Sequence, residues 1–298
     1  MRFFCDPIHL ILFLSVFIAF CELTNGQASD RVDQLSRVLR SGDDETKRTA
    51  LFELRNIASP EASRAALPAL TDRSEIVRAT AAGSVIFLEN SEGVNALRPL
   101  LSDRMPFVRR EAAYALGKIG NWSATEPLIT ALDRERDAEV RLAIIIALGN
   151  IGDIESMPIL NNILRQRPRE ENEMIRRSAA RSLGQIAMLI RTGTSYTVSP
   201  ESFLPEKFKS LGDPTAILAN RIDSDAEPTI RLLIQVLDDR NESNDTRREA
   251  AFALGVFGNA LALPALERYI SDADPYLAEI ARETIIKIRA VERLRVRN

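Results

Sequence analysis

The sequence predicts an all-α fold built from repeated helical hairpins, and three observations support this prediction. One residue pattern recurs at intervals of 31 to 35 residues, with a single interval of 71. In each copy, mostly small or aliphatic residues stand three, four and seven positions after a basic position, which places them on one face of an α-helix. A second apolar column follows at a similar period, so each copy holds two helices. A single hairpin cannot bury its apolar face alone, and stacked copies share a continuous core.

The first helix of each copy carries the basic position, usually after an aliphatic residue. In the third copy, Arg109 is followed by Ala112, Ala113 and Leu116 at the helical spacing. Four copies continue as Leu-Gly-x-(Ile/Phe)-(Gly/Ala), and the final small residue suits a left-handed helix end. The basic positions are Lys47, Arg78, Arg109, Arg141, Arg176 and Arg247, and Ala278 takes this place in the seventh copy.

The second helices are marked by an apolar column at Leu35, Ala66, Leu97, Leu128, Leu160, Leu233 and Leu266. Ser123 and Glu126 have the spacing of a capping box at the start of one of them. An early proline is tolerated in a helix, as predicted at Pro127, Pro158, Pro228 and Pro264. Pro68 and Pro99 fall about a turn later and predict shorter or kinked helices. A lone second helix (32–39) and a lone first helix (275–290) are predicted to cap the two ends.

Residues 103–120, DRMPFVRREAAYALGKIG, resemble a HEAT repeat of the phycobilisome-lyase-like (PBS lyase HEAT-like, armadillo-like) type. The resemblance covers roughly residues 30–298, apart from one insertion. It implies a right-handed α–α superhelix, a HEAT/ARM-like solenoid of about seven helical-hairpin units with helical end caps. It implies no single activity, because repeats of this kind serve many unrelated functions.

Residues 1–26 are predicted to be a signal peptide, and residues 27–298 the repeat domain. Met1 and Arg2 form a minimal positive end, and an almost wholly apolar run follows. The run is shorter than the roughly 20 residues that a membrane span needs, and small residues precede a cleavage position before Gln27. We therefore expect an exported protein, located in the periplasm, in the cell envelope or outside the cell. A membrane anchor formed by an uncleaved segment is the alternative.

Composition excludes several kinds of active site. The single His is His9, and the two cysteines are Cys5 and Cys21, so residues 27–298 contain neither imidazole nor thiol. We expect no metal and no cofactor there. Deoxyhypusine hydroxylase resembles this architecture, but its di-iron site depends on His-Glu pairs that this sequence lacks. A net charge of −3 argues against nucleic acid as a partner. After signal removal we expect no membrane contact, and we expect a monomer.

An aspartate precedes the first helix of several copies, at Asp72, Asp103, Asp137 and Asp272. One interpretation is a row of ligand-binding carboxylates and guanidinium groups. The favoured interpretation is architectural: the aspartate caps a helix start, where a carboxylate is stabilised, and the basic residue reaches the adjoining repeat.

The residues just after the apolar column of the second helices are predicted to point away from the core. In HEAT-like stacks these helices line the concave face. Varied polar residues along such a column are typical of a protein-binding groove and equally of an unused solvated face. The binding hypothesis assigns partner contacts to Arg98, Asn161, Asn162, Gln235 and Arg268.

The interval of 71 residues predicts an insertion at about 191–225, between a first helix ending near residue 190 and a second helix at 227–237. Long irregular insertions are usually functional or disordered. One interpretation gives Tyr196, Phe203 and Phe208 a role in binding a protein partner. The others are a packed cover over the repeats, disorder, and a degenerate extra repeat.

The sequence thus predicts a non-catalytic scaffold or assembly factor of the periplasm or cell envelope. It would bind a protein or peptide of unknown identity through its concave face and the 191–225 insertion. The alternative is a lyase or enzyme-accessory protein of the bilin-lyase-like HEAT group, because no fixed motif separates those proteins from other members.

Overall fold

The computed structural model describes residues 29–192 and 223–295 of the 298-residue chain. Regular structure in those ranges is entirely helical, which confirms the all-α prediction. The chain divides after Glu89 into two compact units, the N-terminal unit (1–89) and the C-terminal unit (90–298). The predicted signal peptide (1–26) and most of the predicted insertion (191–225) lie outside the described residues.

The N-terminal unit contains four described helices. They are α1 (29–41), α2 (Asp44–Ile57), α3 (Pro60–Ala66) and α4 (Glu75–Ser84). Side-chain caps fix two of the helix starts: Asp43 accepts a hydrogen bond from the amide of Thr46 at 2.8 Å, and Ser59 accepts one from Ala62 at 3.1 Å. The first helices α2 and α4 pack side by side, and α3 packs against both.

The described part of the C-terminal unit contains ten helices. They are α5 (Asn90–Leu97), α6 (Pro106–Ile119), α7 (Thr125–Arg134), α8 (Ala138–Ile151), α9 (Met157–Arg165), α10 (Glu173–Thr192), α11 (Asp223–Asp238), α12 (Asn244–Phe257), α13 (Leu263–Leu266) and α14 (Pro275–Arg295).

These ten helices form two layers. The first-helix layer is the row α6, α8, α10, α12 and α14, in which each helix packs against the next. The second-helix layer is the row α5, α7, α9, α11 and α13, in which each helix packs against the first helix that follows it. Leucines from both layers, such as Leu116, Leu128, Leu148 and Leu160, are fully buried between them. This alternation is what the two apolar columns predict.

Glycine allows neighbouring first helices to approach closely. A Cβ on Gly117 of α6 would lie 2.8 Å from the Cα of Ala147 of α8, closer than real Cβ contacts allow. The same motif position in α8 is Gly149, where a Cβ would lie 2.8 Å from the Cβ of Ser182. The Gly of the Leu-Gly motif therefore lies at a close contact between one repeat and the next.

Left-handed glycines end three first helices, as the motif predicts. Gly120, Gly152 and Gly258 follow α6, α8 and α12 with φ angles of 69°, 72° and 62°. The fifth copy differs, because its corresponding residue is Ala187, which is buried within α10. Alanine favours continued helix, and α10 runs to Thr192, close to the predicted end.

The starts and ends of the second helices correct the sequence prediction in detail. The capping box of Ser123 and Glu126 is wrong: the side chain of Asn121 accepts the amide of Ser123 at 2.9 Å and starts a 3₁₀ turn, Trp122–Ala124. Shortening at the late prolines is confirmed. Helices α3 and α5 end at Ala66 and Leu97, and the 3₁₀ turns Leu67–Thr71 and Arg98–Ser102 carry Pro68 and Pro99.

The insertion does not interrupt the second-helix layer. Helix α11 packs against α9, and the Asn161 amide of α9 donates a hydrogen bond to the Thr229 hydroxyl of α11 at 2.7 Å. The 71-residue interval is therefore one hairpin whose two helices, α10 and α11, are separated by the inserted segment.

Candidate protein-binding face

The recurrent aspartates accept backbone amides at or just before the helix starts and help to join successive repeats. In the N-terminal unit, Asp72 accepts the amide of Ser74 at 2.9 Å and the ammonium group of Lys47 at 2.6 Å. In the C-terminal unit, the side chains of Asp103 and Asp272 each accept an amide two residues on, at 2.9 Å.

Asp137 is a side-chain N-cap, because it accepts the amides of Glu139 and Val140 at 3.0 and 3.1 Å. The predicted capping is therefore confirmed at Asp137 and is wrong at Asp72 and Asp103, which lie before the N-cap residues Ser74 and Met105. The predicted link between repeats is confirmed by the contact of Asp72 with Lys47.

The arginines at the repeated basic position of the first helices form further contacts within the protein. Arg109 donates to both carboxylate oxygens of Glu135, at 2.7 and 2.8 Å, and to the carbonyl of Asp103 at 2.9 Å. This bidentate pair lowers the pKa of Glu135 below its ordinary value, mainly through the hydrogen bond from Arg109. Arg247 donates to the carbonyl of Leu237 at 3.0 Å. These guanidinium groups are already engaged within the protein.

Arg176 of α10 makes the most deeply buried ion pair among the described residues. Its side chain is 2% exposed, and that of its partner Glu242 is 1% exposed. The Nε atom lies 2.9 Å from a Glu242 carboxylate oxygen, and an Nη atom donates to the carbonyl of Leu164 at 2.8 Å. The pair holds the loops that follow α9 and α11 against α10, on either side of the inserted segment.

Further pairs cross between neighbouring first helices. Arg181 of α10 binds Glu249 of α12 at 3.0 Å, and Arg248 of α12 binds Asp274 at 2.7 and 2.9 Å, just before α14. Burial raises the pKa of Glu249 despite the hydrogen bond from Arg181. Its Oε2 atom is buried and has no hydrogen-bond partner among the described residues. The first-helix layer thus uses its arginines chiefly to hold repeats together.

The second-helix layer places most of the predicted binding residues at the surface. Arg98, Asn162, Gln235 and Arg268 are all exposed. The side chain of Arg268 is paired with Asp238, and it also donates to the carbonyl of Pro264 at 3.2 Å. Asn162 accepts a hydrogen bond from Arg165 at 2.9 Å on the exposed side of α9.

Asn161 is the exception among these predicted residues. It is 6% exposed, and its amide group is bound to Thr229, so it lies inside the second-helix layer. The prediction that it contacts a partner is wrong, because α11 covers it. Tyr196, Phe203 and Phe208, the predicted binding residues of the insertion, lie outside the described residues.

A groove of about 560 Å³ runs between the 3₁₀ turn that follows α5 and helix α7. Its charged lining includes Arg98, Glu126 and Arg134. The sequence interpretation missed Glu126 and Arg134 as parts of this face because it read only one column of residues. Both stand four residues from Thr130, which lies two positions after Leu128 of the apolar column and so belongs to the column that was read. Residues four apart share one face of a helix.

The described residues offer no evident metal centre. Residues 29–192 and 223–295 bring together no group of three or more His, Cys, Asp or Glu residues that could hold an ion. The His-Glu ligand set implied by the resemblance to the hydroxylase cannot form there, because the only His is His9. Within the same ranges, no helix has the length and apolar character needed to cross a membrane.

Two layers of paired helices, in which ion pairs link successive repeats, define a helical repeat protein. The family described as HEAT repeats matches residues 32–104, 69–138, 94–171 and 125–195. The matched segments together cover more than half of the chain, and the protein therefore belongs to the HEAT-repeat family. Deoxyhypusine hydroxylase of Candida albicans (strain SC5314 / ATCC MYA-2876) is 24% identical over 225 residues, which cover 57% of this chain and 71% of that protein.

One solved structure supports the same fold, and a second is reported only as a similar chain. An engineered protein is 21% identical with a TM-score of 0.50, and the match covers 87% of this chain and 68% of that chain. The complex of CpcE and CpcF of phycocyanin lyase from Nostoc sp. PCC7120 is 21% identical with a TM-score of 0.46, over 87% of this chain and 92% of that chain. Likeness at this level of identity concerns the fold alone.

Proposed function

We propose that this HEAT-repeat protein is a non-catalytic scaffold or assembly factor that binds a protein partner. The proposed contact surface is the exposed side of the second-helix layer in the C-terminal unit, which we call the binding face. One observation carries the proposal. Exposed polar side chains such as Arg98, Asn162 and Gln235 lie on this face, whereas arginines of the first-helix layer are bound to carboxylates of neighbouring repeats.

The test is crosslinking of the full chain in its own compartment, followed by identification of the captured proteins. We expect the double variant Asn162→Glu, Gln235→Glu to lose the captured partner, because two new charges alter adjacent parts of the binding face. The control is Met174→Glu, Ile286→Glu, which adds the same charges at first-helix positions that are 65% and 68% exposed. Equal capture by both variants would contradict the proposal.

The proposal includes export through the predicted signal at residues 1–26, with function in the periplasm or cell envelope. Its support is the sequence of that segment, and an uncleaved membrane anchor is the alternative. N-terminal sequencing of the protein from its own cells tests this directly. A first residue of Gln27 or Ser29 supports cleavage and export, and an intact Met1 contradicts cleavage.

The proposal also includes the 191–225 insertion as a second contact for the partner, through Tyr196, Phe203 and Phe208. Its support is the direct contact between α9 and α11, because the second-helix layer is continuous without the inserted segment. Replacing residues 193–222 by a Gly/Ser linker should leave the urea midpoint of unfolding unchanged and reduce partner capture. Global unfolding of this variant would show instead that the segment belongs to the core.

A further inference from the structure

The groove between the 3₁₀ turn after α5 and helix α7, which we call the α5–α7 groove, has a mixed charge lining. Arg109 and Glu135 line it, but each satisfies the other through two hydrogen bonds of 2.7 and 2.8 Å. Glu126 accepts the hydroxyl of Thr130 at 3.0 Å. Asp103 also lines the groove and accepts the amide of Met105 at 2.9 Å. Arg109 and Glu135 therefore neutralise each other, whereas Glu126 and Asp103 keep their negative charges.

Two guanidinium groups remain. Arg98 and Arg134 line the groove from different second-helix segments, are exposed, and form no hydrogen bond or ion pair with any other described residue. A guanidinium group presents five N–H donors in a planar fork that matches a carboxylate bidentately. The α5–α7 groove therefore presents two exposed guanidinium groups that no carboxylate of the described residues neutralises.

The rest of the groove limits how a ligand can be recognised. Pro99 and Pro127 line it and have no backbone N–H, while Leu101 and Ala131 add apolar surface. These four positions therefore offer a ligand mainly apolar contact along the walls. A flexible extended segment that carries charged side chains suits such a surface.

We infer that the α5–α7 groove binds an extended acidic segment of a protein partner, whose Asp or Glu carboxylates pair with Arg98 and Arg134. This inference rests on the proposed function and specifies the chemistry of the partner. Separate carboxylates fit better than a nucleic acid, because Glu126 and Asp103 also line the groove and would repel a continuous row of phosphates. A flexible segment can place single carboxylates at Arg98 and Arg134 and leave uncharged residues beside Glu126 and Asp103.

The test uses protein purified from cells that express the full chain. The probe is a fluorescein-labelled peptide in which Glu alternates with Ala, and its affinity is measured by fluorescence anisotropy. We expect the wild-type protein to bind this probe more tightly than a matched Lys-Ala peptide or a labelled oligothymidylate. Loss of one charge-assisted pair should weaken binding about tenfold, so Arg98→Ala and Arg134→Ala should each show this loss.

Three variants make the test specific. Arg240→Ala removes an exposed arginine outside the groove that has no ion pair among the described residues, and it should bind the peptide as the wild type does. Arg98→Lys keeps the charge but loses the fork, and its affinity should lie between those of wild type and Arg98→Ala. Glu126→Gln removes a like charge from the groove, and we expect it to bind the acidic peptide more tightly.

The inference is overturned if the acidic peptide does not bind, if Arg98→Ala and Arg134→Ala bind it unchanged, or if the oligothymidylate binds more tightly. Far-ultraviolet circular dichroism of each variant verifies that the fold is intact. The crosslinking result for Asn162→Glu, Gln235→Glu is independent of this groove. Continued loss of capture in that variant, together with no peptide binding, would refute the acidic segment while leaving the binding face in place.

Discussion

On the first helices of the C-terminal unit, arginines such as Arg109, Arg181 and Arg248 are bound to carboxylates of neighbouring repeats. On the second-helix side, Arg98 and Arg134 line a groove and have no partner among the described residues. Residue type alone therefore does not separate architecture from recognition in this repeat. Under the proposed function, the difference between them is whether a carboxylate of the protein already binds the guanidinium group. The predictions below test this difference and the packing that places the two sets of side chains.

The largest effect is expected at the buried pair of the first-helix layer. Glu242→Ala leaves Arg176 buried without its carboxylate and should lower the free energy of unfolding by about 3–5 kcal/mol. Urea denaturation followed by circular dichroism measures this loss. Glu227→Ala is the control, because its pair with Arg231 is exposed on both sides and should contribute at most about 1 kcal/mol. Equal losses would show that the buried pair of Arg176 and Glu242 stabilises the fold no more than an exposed pair does.

The contact between first helices gives the next largest effect. Gly117→Ala places a Cβ 2.8 Å from the Cα of Ala147, and we expect the free energy of unfolding to fall by up to about 3 kcal/mol. Gly83→Ala is a matched change in α4, where the nearest atom is the flexible Arg55 Nη1 at 3.4 Å. There the better helix propensity of alanine should raise stability by about 0.5–1 kcal/mol. Relative to wild type, the urea midpoint should fall for Gly117→Ala and rise for Gly83→Ala. A loss of similar size at both positions would contradict close packing at Gly117.

Two adjacent asparagines on α9 test which side of this helix belongs to the core and which to the binding face. Asn161→Ala leaves the buried hydroxyl of Thr229 without its donor and should lower the free energy of unfolding by about 1–2 kcal/mol. Asn162→Ala changes an exposed side chain and should stay within about 0.5 kcal/mol of wild type. If Asn162→Ala were the more destabilising variant in urea denaturation, the assignment of the two faces would be reversed.

Much of the fold follows from the sequence, because repeated apolar columns leave few alternatives for burying the core. The Leu-Gly motif gave the left-handed ends at Gly120 and Gly152, and its change to Ala187 accounts for the longer α10. The candidate site follows less well. Asn161 and Asn162 are neighbours of the same residue type, and only the packing of α11 on α9 decides which of them is buried.

The contributions of Glu249 and Glu135 to the free energy of unfolding should depend on pH in opposite directions. The pKa of Glu249 is raised by burial, so this group favours the folded state below its ordinary value of 4.5. That contribution is lost as pH rises through the raised pKa. The pKa of Glu135 is lowered by Arg109, so its contribution is present above the ordinary value of 4.5 and is lost as pH falls.

These signs are tested by the unfolding free energies of Glu249→Gln and Glu135→Gln across a pH series. The difference between variant and wild type should increase with rising pH for Glu249→Gln. For Glu135→Gln the same difference should decrease with rising pH. If this difference changed with pH in the same direction for both variants, the assigned pKa shifts of Glu249 and Glu135 would be contradicted.

The central claim is tested most directly by measuring stability and peptide affinity on the same purified samples of two variants. For the double variant Arg98→Ala, Arg134→Ala, we predict a wild-type free energy of unfolding and loss of binding to the acidic peptide. For Arg248→Ala, which breaks the pair with Asp274, we predict lower stability and wild-type affinity at a temperature where the protein is folded. A double variant that loses stability but keeps its affinity, or an Arg248→Ala protein that loses affinity alone, would contradict the account.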